Sequence, residues 1–133
     1  MRDTSAGRAQ ALRQLAAGEG IGLSTVALDV QSEKSVQAAV ATVLTEAGEL
    51  DVVVHHAGHL AIGYVEAFAT DDVAHLFDVN VLGAQRVNRA VLPHLRARAR
   101  ARARGTLLYV GSTSIIDASP SSDHTSPPRR RSM

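Results

Sequence analysis

The chain has 133 residues, of which 45% are hydrophobic but only 3% aromatic, so one modest core must be built from Ala, Val, Leu and Ile. It has no cysteine, which excludes disulfides and thiolate zinc sites, and no apolar run approaches the roughly 20 residues that span a bilayer. The net charge of +1 hides an asymmetry: residues 1–91 carry six basic and eleven acidic side chains, while residues 92–133 carry eight Arg and two Asp.

The first seven residues are polar and do not read as a signal peptide, so a cytoplasmic protein is the expectation. Residues 5–17 read as a helix, with Ala9, Leu12, Leu15 and Ala16 near one face and Gly18 and Gly20 at its end. Residues 23–29 (LSTVALD) have the aliphatic and β-branched make-up of a buried strand. Ser32 caps a second helix on which Val36, Val40, Val43, Leu44 and Ala47 repeat at helical spacing, and Gly48 stops it. Residues 50–55 (LDVVVH) form a second short strand, followed by a loop through Gly58 and Gly63.

Thr70, Asp71 and Asp72 start a long helix, since acids in a first turn suit the helix dipole. Its stripe is Val73, Leu76, Phe77, Asn80, Ala84, Val87, Val91 and Leu95, with Pro93 a candidate kink and Gly105 its end. Residues 107–110 (LLYV) are a third strand, followed by Gly111, Ser112, Thr113 and Ser114. The order helix, strand, helix, strand, helix, strand predicts an α/β fold: a doubly wound parallel sheet with right-handed crossovers. Three strands are thin for an independent domain of that class.

Two stretches break the pattern. Arg96, Arg98, Arg100, Arg102 and Arg104 alternate with Ala, which reads as a frayed, solvated helix end. Residues 117–133, rich in Ser, Pro and Arg, have little to bury and are expected to be disordered. The division expected is a partial α/β domain over 1–116 and this tail over 117–133. A GC-rich gene read out of frame gives this composition, so the change near Asp117 suggests a reading-frame break. Nucleic-acid binding would rest on the Arg runs alone, and solvated charge is the simpler reading.

In an open parallel sheet, ligands bind beyond the carboxyl ends of the strands. The residues found there are Asp29 and Val30, then His55, His56, Ala57 and Gly58, then Gly111 and Ser112. Asp29 serves equally well as a cap for the following helix, and Ala57-Gly58 as an ordinary tight turn. Asn80 is more pointed: a poor helix former in the middle of an apolar stripe, where an unpartnered buried amide costs about 1–3 kcal/mol. It is either a satisfied structural residue at a kink or a functional one. His55, His56 and His59 lack a carboxylate at metal-ligand spacing, so no metal site is expected.

Taken together, Asp29-Val30, His-His-Ala-Gly58, Asn80-Val-Leu-Gly83 and Leu-Tyr-Val-Gly-Ser112 resemble, in order and spacing, the short-chain dehydrogenase/reductase family, over roughly residues 1–116. The resemblance implies an incomplete Rossmann-like fold and an oxidoreductase that moves a hydride between NADP (or NAD) and a small carbonyl or alcohol. It implies that Asp29, with Val30, meets the adenine edge; that Ala57 and Gly58 line the cofactor; that Asn80 serves a proton relay; and that Ser112 polarises the substrate. Arg2, at the end of the family's second strand, would favour the 2′-phosphate of NADP. Helices at the place of residues 71–95 form oligomer interfaces in the family, which implies a homo-oligomer.

Three departures temper that expectation. No Gly-x-x-x-Gly-x-Gly turn occurs to take the pyrophosphate. No Tyr-x-x-x-Lys pair occurs: Thr125 stands where the Tyr would fall, the Tyr residues are Tyr64 and Tyr109, and the sole Lys is Lys34. His55-His56 replaces the family's Asn-Asn. Loss of a positioned acid/base alone costs about 10²–10⁴-fold. A truncated, inactive member is therefore expected, the alternative being a non-enzymatic fragment that acts by association.

Overall fold

The computed structural model describes residues 7–100 and 104–112. Helix α1 spans Gly7–Gly18 and turns Ala9 and Ala16 inward. Leu12 and Leu15, expected on that face, are exposed. The Ile21 N–H returns to the Ala16 carbonyl at 2.8 Å, and Gly20 makes the reversal at a φ of 68°.

The strand expected over residues 23–29 does not form. A strand needs a neighbour to bond, and among the described residues none pairs with this segment. Leu23, Ser24 and Ala27 are exposed, not buried. Val26 and Leu28 instead line an apolar cleft of about 330 Å³ whose far wall is Val52, Val53 and Val54.

Helix α2 spans Glu33–Ala47 and is defined by its ends. The Ser32 hydroxyl accepts the Ser35 N–H at 3.2 Å. Gly48 closes the helix at a φ of 79°, its N–H on the Leu44 carbonyl; only glycine takes that conformation without strain. Strand β1 (Val52–His55) pairs in parallel with strand β2 (Thr106–Tyr109), in the register Val52–Thr106 to His55–Tyr109. The sheet among the described residues therefore has two strands where the sequence suggests three.

The long helix is interrupted. Helix α3 covers Thr70–Phe77, a π-turn covers Asp78–Leu82, and helix α4 runs from Gly83 through Pro93 to Arg100. Asp72 accepts the Ala69 N–H at 2.9 Å, which makes Ala69 the cap of a helix that begins at Thr70 as expected. In the π-turn the Gly83 N–H reaches back to the Asp78 carbonyl, five residues away. One residue is thereby inserted, shifting the helix phase by about 100°. The stripe holds in α4, where Val91 and Leu95 are buried, and slips before it: Val73 and Phe77 are exposed. Val79 is buried in place of its neighbour Asn80, so the expected burial of Asn80 is corrected.

Helices α2 and α4 pack together, and Val36, Ala39, Val91 and Leu95 form the centre of the core. Two glycines permit close approach. A Cβ at position 83 would lie 2.9 Å from Val30 Cγ2 and 3.0 Å from Val30 Cβ, and one at position 105 would lie 2.9 Å from Leu95 Cβ. The Arg-Ala run is also not wholly solvated. Arg98, three-quarters buried, pairs with Glu49 and Asp51 at the entrance to β1. The tail over 117–133 lies outside the described residues.

The substitution Gly83→Ala tests the helix approach. Overpacking against a Cβ that cannot swing away costs about 1–3 kcal/mol, offset by the ~1 kcal/mol Ala gains as a helix former. Net destabilisation in urea unfolding is expected, whereas Gly18→Ala, where an added Cβ meets nothing within 4 Å, is expected to be neutral or stabilising. Equal responses from the two variants would show that Val30 does not crowd the helix.

Candidate functional site

The polar ends of the chain's apolar segments converge. A groove of about 380 Å³ is lined by Leu28, Asp29, Val30, Gln31, Val54, His56, Ala57, Gly58 and Val79. A second, of about 440 Å³, is lined by His56, Ala57, Gly58, His59, Leu60, Asn80, Val110, Gly111 and Ser112. They share His56, Ala57 and Gly58, the residues that leave the carboxyl end of β1, and so form one trough. Six of the seven residues singled out in the sequence line it: Asp29, Val30, Ala57, Gly58, Asn80 and Ser112. The seventh, Arg2, lies outside the described residues.

The Asp29 turn is tightly wired. Asp29 Oδ1 accepts the Gln31 N–H at 3.1 Å, the Asp29 N–H donates to Ser35 Oγ at 2.9 Å, and the Ser32 N–H donates to the Asp29 carbonyl at 3.1 Å. Both sequence readings of Asp29 thus keep a footing. One carboxylate oxygen braces the turn into α2, and Oδ2 makes no hydrogen bond among the described residues. Ala57 and Gly58 put only a methyl group and a hydrogen on the trough's midpoint, so a flat ligand can approach the backbone there.

Asn80 gains its reason from the π-turn. Turned out of the core, its Oδ1 accepts the His59 N–H at 2.8 Å and its Nδ2 donates to the His59 carbonyl at 2.9 Å. The side chain imitates a strand partner and pins the loop that leaves β1. A π-turn at such a place is a frequent mark of functional sites.

Sequence reasoning missed the groups behind the trough. Arg86 Nη2 pairs with Asp78 Oδ1 at 2.6 Å, and Arg86 Nη1 donates to the Val30 carbonyl at 3.2 Å and the Asp78 carbonyl at 3.4 Å. Gln31 Nε2 donates to Asp78 Oδ2 at 3.0 Å. These bonds hold the Asp78 carboxyl below its usual range, the Gln31 bond most, then Arg86. Asp78 and Arg86 are eight residues apart, about 80° out of line on a straight helix. The residue inserted by the π-turn makes the separation behave as seven, within about 20° of one line.

The two histidines in place of Asn-Asn part company. His55 stacks on its register partner Tyr109, ring centroids 4.5 Å apart, and its Nε2 donates to Asn88 Oδ1 at 2.9 Å. The Asn88 amide donates to the Tyr109 hydroxyl at 2.8 Å, which ties that hydroxyl to α4. His56 lines the trough. Among the described residues no three metal-ligating side chains gather, and no helix is long and apolar enough to cross a membrane.

The trough lies beyond the carboxyl ends of parallel strands, where open α/β sheets bind their ligands. A family model described as short chain dehydrogenase matches residues 1–122. The chain belongs to the short-chain dehydrogenase family. It is 40% identical over 114 residues to human 17-beta-hydroxysteroid dehydrogenase type 1, covering 86% of this chain and 33% of that protein. It is 37% identical over 87 residues to bovine retinol dehydrogenase 8, covering 64% of this chain and 27% of the other. Among solved structures, a gluconate 5-dehydrogenase from Burkholderia cenocepacia in complex with NADP and tartrate superposes with a TM-score of 0.75 at 28% identity, covering 90% of this chain and 45% of that one. A short-chain dehydrogenase from Streptomyces avermitilis gives 0.72 at 28% identity, covering 89% and 40%. The chain thus spans about a third or less of these curated relatives and under half of these solved chains.

The lowered Asp78 carboxyl has a pH signature. A depressed folded value means that the folded state binds fewer protons than the unfolded chain. The stabilisation is therefore complete above the unfolded carboxylate range, about pH 4, and is lost as pH falls through the lower folded value. Urea unfolding across the acid range is expected to show a shallower loss of stability for Asp78→Asn than for the unaltered chain. Parallel curves would place the acid sensitivity elsewhere.

Proposed function

We propose that the trough is the dinucleotide site of an NAD(P)-dependent oxidoreductase lineage acting on a carbonyl or alcohol. The observation that carries this is the continuity of the two grooves through His56, Ala57 and Gly58, which puts Asp29 at one end and Asn80 and Ser112 at the other. The residues present fit such a ligand. Asp29 Oδ2 would accept from an exocyclic amine, Val30 would give an apolar wall for a base, and Ala57-Gly58 would leave room for the linking groups. A bound nicotinamide group would supply or accept the hydride. Ser112 is the hydroxyl that would meet the substrate oxygen, and Asn80 would hold the His59 backbone in place beside it. The binding of NADP to the Burkholderia relative supports the ligand class. Arg2 supports NADP over NAD.

Turnover is not part of this proposal for the chain as it stands. A general acid/base must reach the reacting oxygen. The Tyr109 hydroxyl is committed to Asn88, and the sole Lys, Lys34, lies on the exposed side of α2. The expected result is saturable binding of NADPH by fluorescence titration, with no change in nicotinamide absorbance when carbonyl substrates are added. Turnover would overthrow the inactive reading, and absence of saturation would overthrow the dinucleotide site.

A second reading, association, has its own observation. The cleft between residues 23–29 and β1 is apolar, β1 bonds a neighbour on one edge only among the described residues, and Val52, Val54 and Leu108 are half exposed. Open edges and apolar patches of this kind recruit other chains. Light scattering is expected to show mass rising with concentration. A constant monomer mass would count against association.

A further inference from the structure

We infer that Arg86 and Asp78 are positioning residues for the nucleobase end of the trough, acting through the Asp29–Val30–Gln31 turn without touching the ligand. This rests on the dinucleotide reading above and names residues that neither the family motifs nor the trough lining includes.

In a parallel sheet the ladder fixes the height and direction of each strand end. Residues 23–29 have no ladder among the described residues, so the Asp29 turn must be located by other contacts. Its own hydrogen bonds, to Ser32 and Ser35, tie it to the start of α2. They shape the turn but leave its place relative to Ala57-Gly58 to contacts that cross to the other wall.

Among the described residues the polar contacts of this kind are three. Arg86 Nη1 donates to the Val30 carbonyl at 3.2 Å, Asp78 Oδ2 accepts from Gln31 Nε2 at 3.0 Å, and Gln31 Nε2 also lies 3.3 Å from His75 Nδ1. The 2.6 Å Arg86–Asp78 pair joins the first two into one bracket around Val30. The Val30 side chain seats against the bare Cα of Gly83. Arg86 and Asp78 are roughly a quarter exposed, so the pair is neither a fully solvated ion pair nor a buried one. A planar guanidinium can hold a backbone carbonyl and a carboxylate at once; a lysine ammonium lacks that fork. Asp29 is part of the trough's lining, whereas Arg86 and Asp78 are not.

The test compares two half-ligands on the full chain, adenosine 5′-monophosphate and nicotinamide mononucleotide, by NMR titration, for the unaltered chain, Arg86→Met, Arg86→Lys and Asp78→Asn. Arg86→Met is expected to weaken the adenosine ligand about tenfold, in keeping with loss of preorganisation, to shift the Asp29 and Gln31 amide resonances, and to leave the nicotinamide ligand unchanged. Arg86→Lys is expected to recover part of the loss. Equal weakening of both ligands, or no weakening with the fold retained, would overturn the inference. Should Arg86→Met fail to fold, Asp78→Asn, which keeps the size and one acceptor, decides by the same two criteria. If the unaltered chain binds no adenosine ligand, the dinucleotide reading itself falls and carries this inference with it, an outcome separable from the others because it needs no variant.

Discussion

Between Phe77 and Gly83 the helix is bonded five residues back, the Gly83 N–H reaching the Asp78 carbonyl, and that one inserted residue sets what each half of the helix presents. Without it, Asn80 would continue the line of Ala84, Val87 and Val91 into the core, and its amide would need a buried partner. With it, Val79 takes the buried place and Asn80 swings to the loop behind β1, where the His59 peptide satisfies both its polar atoms. The same insertion brings Asp78 and Arg86 onto one line. Placing Gly83 at the point of closest approach lets Val30 come against the helix backbone. Trough, bracket and core phase therefore depend on a single local departure from 3.6 residues per turn.

Much of this was legible in the sequence. The capped helix from Ser32 to Gly48 could be read because its signals are local: a hydroxyl that accepts a nearby N–H and a glycine at positive φ. The strand ends could be read because small and polar residues follow apolar runs, and seven of the residues so chosen, Asp29, Val30, His56, Ala57, Gly58, Gly111 and Ser112, line the trough. The segment at 23–29 could not be settled the same way. Its composition suits a strand, but a strand is a relation between two segments, and nothing in its own residues says whether a neighbour is there. Leu12 and Leu15 illustrate the same limit, since periodicity marks an apolar face without showing what covers it.

The Asp78–Arg86 pair and the π-turn were hidden for another reason. Helical bookkeeping assumes a constant phase, and a one-residue insertion breaks that assumption without any residue that announces it. The available hint was Asn80 itself: a poor helix former at a core position is a conflict between local and global preference, and such conflicts gather where function or strain resides. Arg98 shows the same weakness on the surface. Read as part of a solvated repeat, it binds Glu49 and Asp51 because the chain returns into β1 beneath it.

The two ends of the trough have different mechanical origins. At the Ala57 and Ser112 end, β1 and β2 share a ladder whose last bond, from the Val110 N–H to the His55 carbonyl at 3.0 Å, ties both strand exits together, with the stacked His55 and Tyr109 rings beside it. Moving one exit against the other would break backbone hydrogen bonds. At the Asp29 end no ladder contributes among the described residues, and position relies on side chains and on the fit of Val30 against Gly83. Side-chain bonds at partly exposed positions exchange with water at modest net cost. Among the described residues the Asp29 turn is therefore held by side-chain contacts and packing rather than by a backbone ladder. A ligand that touched both walls would depend on the contacts that fix the Asp29 turn, and these include Arg86 and Asp78, which lie outside the trough's lining.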